Sequence, residues 1–211
     1  MQRGKFIVFE GIDGSGTSTH VHRLAERIEL DNKYQSVLRT HEPWMSQEIK
    51  RRLEQDKDAY SNPSEMAELY IDDRARHTRK LIRPNLKAST VVLCSRFKMS
   101  TCAYQWAQGM NLHELLEMHE DRGILIPDLT YFLDVPREVA AERMRTTRTS
   151  VEKFEGNPQF VDKLISAYNA LVHMSEVDPR IFGEVIRIDG TKSIDDVANE
   201  IFQEYKNRLA A

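Results

Sequence analysis

Short apolar segments alternate with longer amphipathic ones along this chain, and the alternation predicts its fold. Five short, β-branched apolar runs are typical of buried strands and lie at residues 6–9, 37–39, 91–94, 129–133 and 185–188. Each run is separated from the next by enough residues for a helix. This order is typical of a parallel sheet covered on both faces, so we expect an α/β fold with a five-stranded parallel sheet.

The segments between the strands carry apolar side chains at helical spacing. One stripe follows the first strand and one follows the fourth; they consist of Val21, Leu24, Ala25 and Ile28, and of Val139, Ala140 and Met144. A last helix is predicted over residues 194–209, because its first turn is acidic and its last turn is basic. The polar stretch 146–159 lacks this spacing and is predicted to be a mobile loop.

The composition is that of an ordinary globular protein. The chain has 211 residues, of which 40% are hydrophobic and 30% are charged, and its formal net charge is -3. We therefore expect one domain without a general attraction to nucleic acid or to an anionic membrane. The apolar run near the amino terminus is too short for a signal sequence or a membrane span, so we expect a cytoplasmic protein. Cys94 and Cys102 fit no metal-ligand spacing and are expected to be packed thiols.

The segment GIDGSGTST, which begins at Gly11, has the features of a phosphate-binding loop. Its three glycines, Gly11, Gly14 and Gly16, follow a strand and precede an amphipathic helix. In that context backbone N–H groups can converge on an anion. Ser18 occupies the hydroxyl position that ligates Mg²⁺ in such loops, but Thr17 stands where they carry a lysine. The alternative is a glycine-rich turn that binds nothing. The loop by itself indicates a nucleotide without indicating a reaction.

Further motifs follow in a fixed order along the chain. The opening FEGIDGSG is followed by THEP, LYIDDRARH, SRF with STCAYQ, FLDV with EVAAER, and IDGT. This ordered set resembles the thymidylate kinases (dTMP kinases) over nearly the whole chain, from residue 6 to residue 209. No single motif is decisive, but the set in this order is specific.

The resemblance implies a fold and a reaction. It implies a P-loop NTPase fold in a single kinase domain, residues 1–211, with a short lid at roughly 143–157. The implied reaction transfers the γ-phosphoryl group of ATP to dTMP and gives dTDP for dTTP synthesis, with Mg²⁺ as cofactor and ATP as co-substrate. The implied partners are these nucleotides and a second copy of the chain in a homodimer, with no nucleic acid and no membrane.

The resemblance also assigns roles to residues of this chain. The ATP-binding residues would be Gly11, Ile12, Asp13, Gly14, Ser15, Gly16, Thr17, Ser18, Thr19, Arg143 and Gly190. The acceptor-binding residues would be Asp13, Glu42, Pro43, Tyr70, Arg74, Arg96, Ser100, Thr101, Tyr104 and Gln105. Ser18 and Glu42 would form the Mg²⁺ site. Arg96, Arg148 and Lys153 would be catalytic, the last two as lid cations.

Individual acceptor roles follow from the same resemblance and suit the chemistry of each side chain. Asp13 would accept the deoxyribose 3′-hydroxyl, Tyr70 would stack on thymine, and Arg74 and Arg96 would hold the acceptor phosphate. The base pocket would be lined by Ser100, Thr101, Tyr104 and Gln105. Taken alone, Arg74 could be a solvated helix arginine, and Tyr70 a core aromatic.

Three positions depart from the family pattern. Thr17 replaces the lysine, Ser95 replaces an aspartate, and His41 with the Trp44-Met45 pair replaces Arg and Gly-Gly. Losing one cation and one anion together preserves the local charge balance, so our hypothesis is that the site was rebuilt. Candidate compensating cations are Lys98, Arg143, Arg145, Arg148 and Lys153, although a solvated charge run is the alternative for the lid residues.

Two other functions remain open from the sequence. A kinase for a different nucleoside monophosphate is one, because Trp44 and Trp106 stand where the family has glycine and could reshape the acceptor pocket. A nucleotide-binding protein without useful turnover is the other, and the changes at Thr17 and Ser95 favour it. The complete set of nucleotide-contacting residues argues against a binding protein without turnover.

Overall fold

The structure is a computed structural model that describes residues 3–55, 62–147 and 157–209. Its strands are β1 (Phe6–Glu10), β2 (Val37–His41), β3 (Val91–Ser95), β4 (Leu129–Asp134) and β5 (Glu184–Asp189). All neighbouring pairs are parallel, in the order β2-β3-β1-β4-β5. The predicted five-stranded parallel sheet is confirmed, with each strand reaching one or two residues beyond a predicted boundary.

Helices connect the strands. They are α1 (Thr17–Asp31), α2 (Gln47–Gln55), α3 (Pro63–His77), α4 (Arg83–Lys87), α5 (Lys98–Ala107), α6 (Leu112–Asp121), α7 (Arg137–Thr147), α8 (Pro158–Val177) and α9 (Ile194–Leu209). A π-helical turn, Thr78–Ile82, joins α3 to α4. None of the described helices combines the length and the apolar character that crossing a membrane requires.

The core lies on both faces of the sheet. Alternate residues of β1 point to opposite faces, so Ile7 packs with the buried stripe of α1 and with α9, whereas Val8 packs with Phe97 and the α4 region. The four predicted stripe residues of α1 are all buried. Cys94 and Cys102 are buried free thiols, as expected.

The end of the chain forms the predicted helix. The hydroxyl of Ser193 accepts a hydrogen bond from the backbone N–H of Asp196 at 3.1 Å, which satisfies one of the open N–H groups of the first turn of α9. The predicted loop 146–159 is shorter than expected at both ends, because α7 continues through Thr147 and α8 begins at Pro158, where proline is favourable in a first turn. Within the predicted lid, residues 148–156 lie outside the described residues, and Arg148 and Lys153 are among them.

The sheet register brings three connecting loops together. Ser95 at the end of β3 pairs with Phe9 of β1 on one side and with His41 of β2 on the other. The loops that follow these strands therefore leave the same edge of the sheet side by side. This carboxyl edge is where open α/β sheets bind their ligands.

Candidate active site

β1 leads into α1 through a tight loop that only glycine can form. Gly14 and Gly16 have φ angles of 80° and 99°, in the left-handed region. A Cβ atom on Gly14 would lie 2.5 Å from the carbonyl oxygen of Ala140. α1 begins at Thr17 directly after the loop, so the backbone N–H groups of its first turn lack helical acceptors. The loop thus offers open N–H groups and the positive end of a helix dipole to an anion.

A cleft of about 530 Å³ opens at this loop, and we call it the donor cleft. Ten of the eleven predicted ATP-binding residues line it: Ile12, Asp13, Gly14, Ser15, Gly16, Thr17, Ser18, Thr19, Arg143 and Gly190. The eleventh, Gly11, is buried at the start of the loop. Arg143 reaches across from α7 and donates from Nη2 to the carbonyl oxygen of Gly190 at 2.7 Å. The sequence did not indicate that His20 and Lys192 also line this cleft.

Arg96 follows β3 in a conformation that is uncommon for a residue with a side chain. Its φ angle is 65°, and its backbone N–H donates to the carbonyl oxygen of Phe9 at 2.8 Å. Its guanidinium donates to Asp13 at 2.5 Å, to the hydroxyl of Ser100 at 3.1 Å and to that of Tyr168 at 3.3 Å. These contacts fix the cation beside the phosphate loop.

A buried carboxylate anchors the start of α5. Glu10, which is fully buried at the end of β1, accepts from the backbone N–H groups of Phe97 at 2.8 Å and Ser100 at 3.2 Å. It also accepts from the Ser100 hydroxyl at 2.5 Å. Burial raises the pKa of this carboxyl, because desolvation outweighs the hydrogen bonds and the nearby arginines. Glu10 was not predicted from the sequence, although a glutamate inside an apolar strand is a signal of such a buried anchor.

A second cavity, of about 160 Å³, lies beside the donor cleft, and we call it the acceptor pocket. All ten predicted acceptor-binding residues line it, together with Leu53: Asp13, Glu42, Pro43, Tyr70, Arg74, Arg96, Ser100, Thr101, Tyr104 and Gln105. Asp13, Glu42 and Arg96 line both cavities. The two cavities therefore meet at these three side chains.

Arg74 is buried and fully engaged at the far side of the acceptor pocket. Its side chain is 1% exposed, so it is not the solvated helix arginine that the sequence left open. Its guanidinium donates to Glu42 at 2.6 Å, to Nε2 of His119 at 2.8 Å and to the hydroxyl of Thr101 at 2.9 Å. Burial, reinforced by Arg74, lowers the pKa of His119 well below its usual value. The neutral imidazole can therefore accept from the arginine while its Nδ1 donates to the carbonyl oxygen of Leu115.

The carboxylate of Glu42 is held from its other side by a histidine. His77, which is fully buried, donates from Nδ1 to Glu42 at 3.1 Å, and its Nε2 lies 2.9 Å from the hydroxyl of Thr40. The indole of Trp44 stacks on the imidazole with 5.0 Å between ring centroids. His77 and His119 were not predicted from the sequence, because nothing in their helices distinguishes a histidine with a buried carboxylate or arginine partner from an ordinary one.

Comparison with known proteins agrees with this geometry. The profile of the thymidylate kinase family matches residues 9–201. The chain belongs to the thymidylate kinase family. It is similar to a probable thymidylate kinase of Pyrococcus horikoshii, with 35% identity over 98% of both chains. It is also similar to the thymidylate kinases of Desulfotalea psychrophila, with 32% identity over 98% of this chain and 96% of the relative, and of Mycoplasmopsis agalactiae, with 33% identity over 94% and 93%.

Two of the departures from the family pattern lie in contact with each other. The hydroxyl of Ser95 donates to Oγ1 of Thr17 at 3.0 Å, and Oγ of Ser18 lies 3.3 Å from the same Ser95 oxygen. Thr17 and Ser95 are 8% and 5% exposed. Neutral hydroxyl groups thus occupy the place where the family pattern has a lysine and an aspartate.

The Trp44-Met45 pair of the third departure lies outside the acceptor pocket. Asp73 accepts from the backbone N–H groups of Trp44 at 2.5 Å and Met45 at 3.2 Å, which fixes the loop after β2. The Trp44 ring covers His77. Among the described residues that line the acceptor pocket there is neither Trp44 nor Trp106, so this geometry gives no support to a pocket reshaped by tryptophan.

The candidate compensating cations occupy different places. Lys98 is buried with its ammonium 5.4 Å from the ring centroid of Phe182, which precedes β5 and so lies toward the opposite edge of the sheet. Burial lowers the pKa of this ammonium. Arg145 is exposed and pairs with Glu142. Arg143 is the described candidate that lines the donor cleft.

Proposed function

We propose that this protein is a dTMP kinase that transfers the γ-phosphoryl group of ATP to dTMP and gives dTDP. The observation that carries this proposal is the junction of the donor cleft and the acceptor pocket at Asp13, Glu42 and Arg96. A phosphate bound at the loop and a phosphate entering from the pocket would meet there, which is the arrangement that direct transfer between two nucleotides requires.

The donor cleft suits a nucleotide triphosphate with Mg²⁺. The glycine loop supplies backbone N–H groups, and the hydroxyl of Ser18 faces the cleft in the first turn of α1, as a Mg²⁺ ligand would. Both carboxylate oxygens of Glu42 already accept from Arg74 and His77, so Glu42 suits contact through a metal-bound water. A bound Mg²⁺ would neutralise charge on the β- and γ-phosphate oxygens.

The acceptor pocket suits a pyrimidine nucleotide. Its inner wall carries the hydroxyl of Thr101 and the amide of Gln105, whose buried Oε1 accepts no hydrogen bond from the described residues. A carbonyl acceptor of this kind complements the N3–H of thymine. We propose that Tyr70 stacks on the base, that Asp13 accepts the 3′-hydroxyl, and that Thr101 and Gln105 orient the ring.

The two arginines of the acceptor site differ in their surroundings. Arg96 lies at the junction of the cavities, and we propose that it holds the acceptor phosphate in line with the donor. Arg74 is assigned to the same phosphate by the family resemblance, and that role remains a proposal. Its three buried hydrogen bonds favour a second role, because through them Arg74 holds Glu42 and Thr101 in place in the wall of the pocket.

Transfer needs no covalent intermediate and no general base, because the attacking oxygen of the acceptor phosphate is already ionised. The protein's contribution is to position the two phosphates and to stabilise charge on the moving group. We propose that Arg96, Arg148 and Lys153 do the latter, the last two from a lid at roughly 143–157. We further propose a cytoplasmic, single-domain homodimer that acts on nucleotides alone.

A coupled assay tests the function. ADP formation is measured with ATP, Mg²⁺ and dTMP, dUMP, dCMP, dGMP or UMP as the acceptor. We expect the highest kcat/KM with dTMP, a loss of turnover in Arg96→Met, and no change in Arg180→Met, whose side chain is 89% exposed. Faster turnover of another acceptor would contradict the dTMP assignment. Binding of both nucleotides without ADP formation would contradict the kinase.

A further inference from the structure

The hydroxyl groups of Ser18, Ser95 and Thr17 form a chain with a defined direction. Ser95 donates its proton to Oγ1 of Thr17 at 3.0 Å. A hydroxyl has only one proton, so in the 3.3 Å contact with Ser18 the Ser95 oxygen must accept. The chain therefore runs from Ser18 through Ser95 to Thr17. Because the Ser18 hydroxyl donates its hydrogen bond to Ser95, the lone pairs of its oxygen are left for the donor cleft, where a Mg²⁺ ligand is needed.

The chain of hydrogen bonds ends at the hydroxyl proton of Thr17. Thr17 accepts from Ser95, and no described residue accepts a hydrogen bond from its own hydroxyl. The side chain is 8% exposed and lines the donor cleft at the first residue of α1. A mostly buried hydroxyl proton at the positive end of a helix is directed to an anionic acceptor. A phosphate oxygen of the nucleotide in the cleft is such an acceptor.

We propose that the Thr17 hydroxyl donates a hydrogen bond to a β- or γ-phosphate oxygen of the donor nucleotide, in the place of the missing lysine, and that Ser95 is its positioning residue. The arrangement also explains why both family residues are absent together. A lysine at 17 would face the uncharged Ser95, and an aspartate at 95 would face the uncharged Thr17. The neutral pair leaves no unpaired charge at either position and joins the two side chains by one hydrogen bond.

Nucleotides of different phosphate length test this role directly. Calorimetry measures the Kd of AMP, ADP and a non-hydrolysable ATP analogue for wild type, Thr17→Val and Thr17→Ser. A hydrogen bond to a charged oxygen is worth about 10-fold or more in affinity. We expect Thr17→Val to bind ADP and the ATP analogue about 10-fold more weakly while AMP binding stays within about twofold. Thr17→Ser, which keeps the hydroxyl, should restore affinity.

Ser95→Ala tests the positioning role. It should weaken the binding of the ATP analogue by a smaller factor of about threefold. Combined with Thr17→Val it should add nothing further, because the chain is already broken. The matched control is Thr90→Val, which removes a buried threonine hydroxyl just before β3, at the opposite edge of the sheet. That variant should bind every nucleotide as wild type does.

The outcomes separate this inference from the proposed function. The inference rests on the proposed donor site but not on the acceptor, since binding is measured without dTMP. Wild-type protein that binds the ATP analogue without phosphorylating dTMP would overturn the function and leave the Thr17 result valid. Unchanged affinity in Thr17→Val, or an equal loss for AMP and for the ATP analogue, would overturn the inference. Additive effects of the two substitutions would overturn the role of Ser95.

Discussion

Removing the carboxylate of Glu42 should destabilise the protein strongly, because it leaves Arg74 without a counter-ion. The two side chains are 4% and 1% exposed, and they are 2.6 Å apart. Leaving one member of such a buried pair alone costs about 3 to 5 kcal/mol. For a chain of 211 residues this corresponds to a decrease in Tm of roughly 6 to 20 °C. Glu42→Leu is the variant that leaves the guanidinium of Arg74 without its carboxylate partner.

Glu42→Gln separates charge from hydrogen bonding at the same site. Its amide oxygen can still accept from Arg74, and its NH₂ group can donate to His77 once the imidazole adopts the other tautomer. We therefore expect a loss of only about 1 to 2 kcal/mol in this variant.

Urea unfolding, followed by far-UV circular dichroism, gives the free energy of unfolding of wild type, Glu42→Leu and Glu42→Gln. A surface variant serves as the control. Glu204→Leu breaks an exposed ion pair with Arg208 at 2.7 Å and should cost at most about 1 kcal/mol. A Glu42→Leu variant that unfolds within about 1 kcal/mol of wild type would refute the reasoning, because Arg74 would then find water or another partner without cost.

Three further predictions concern the rate, the rebuilt charge pair and pH. Arg96→Lys should lower kcat/KM for dTMP about 100-fold in the coupled assay, since an ammonium cannot keep the three partners of the guanidinium; a loss below about threefold would contradict the proposed clamp. Thr17→Lys and Ser95→Asp should each lower kcat/KM for ATP, whereas the double variant should recover activity; strictly additive losses would show that the positions are independent. Burial lowers the pKa of His119 below its usual value of about 6.5. Below about pH 6.5 the imidazole therefore binds a proton in the unfolded chain but not in the folded protein, and the free energy of unfolding decreases as the pH falls. His119→Gln should remove up to about 1.4 kcal/mol per pH unit of this dependence in urea unfolding, and an unchanged slope would exclude His119 as its source.

The inner strands of the sheet were predictable because they are buried on both faces. β1 and β3 are buried at every position, so they appear as continuous apolar runs. The phosphate loop was predictable because its glycines have a local reason to be there, namely the left-handed φ angles of Gly14 and Gly16. In both cases the information lies within a few neighbouring residues.

The second layer of the site was not predictable, because its contacts join distant parts of the chain. Tyr168 in α8 supports Arg96 and Ser100, and His119 in α6 supports Arg74. Each is an ordinary member of an amphipathic helix until the fold places it against a buried cation or hydroxyl. The contact between Thr17 and Ser95 belongs to the same class, although the paired loss of charge in the sequence indicated it.

The two buried cysteines provide a built-in probe of local unfolding. Burial raises the pKa of the Cys102 thiol to about 12 and that of Cys94 well above its usual value, so neither forms a reactive thiolate while the fold is closed. The chain has no other cysteine. Alkylation by a thiol reagent therefore reports the local openings that expose Cys94 in β3 or Cys102 in α5. Because Cys102 follows Thr101 in the wall of the acceptor pocket, a nucleotide bound there should slow the labelling without any engineered probe.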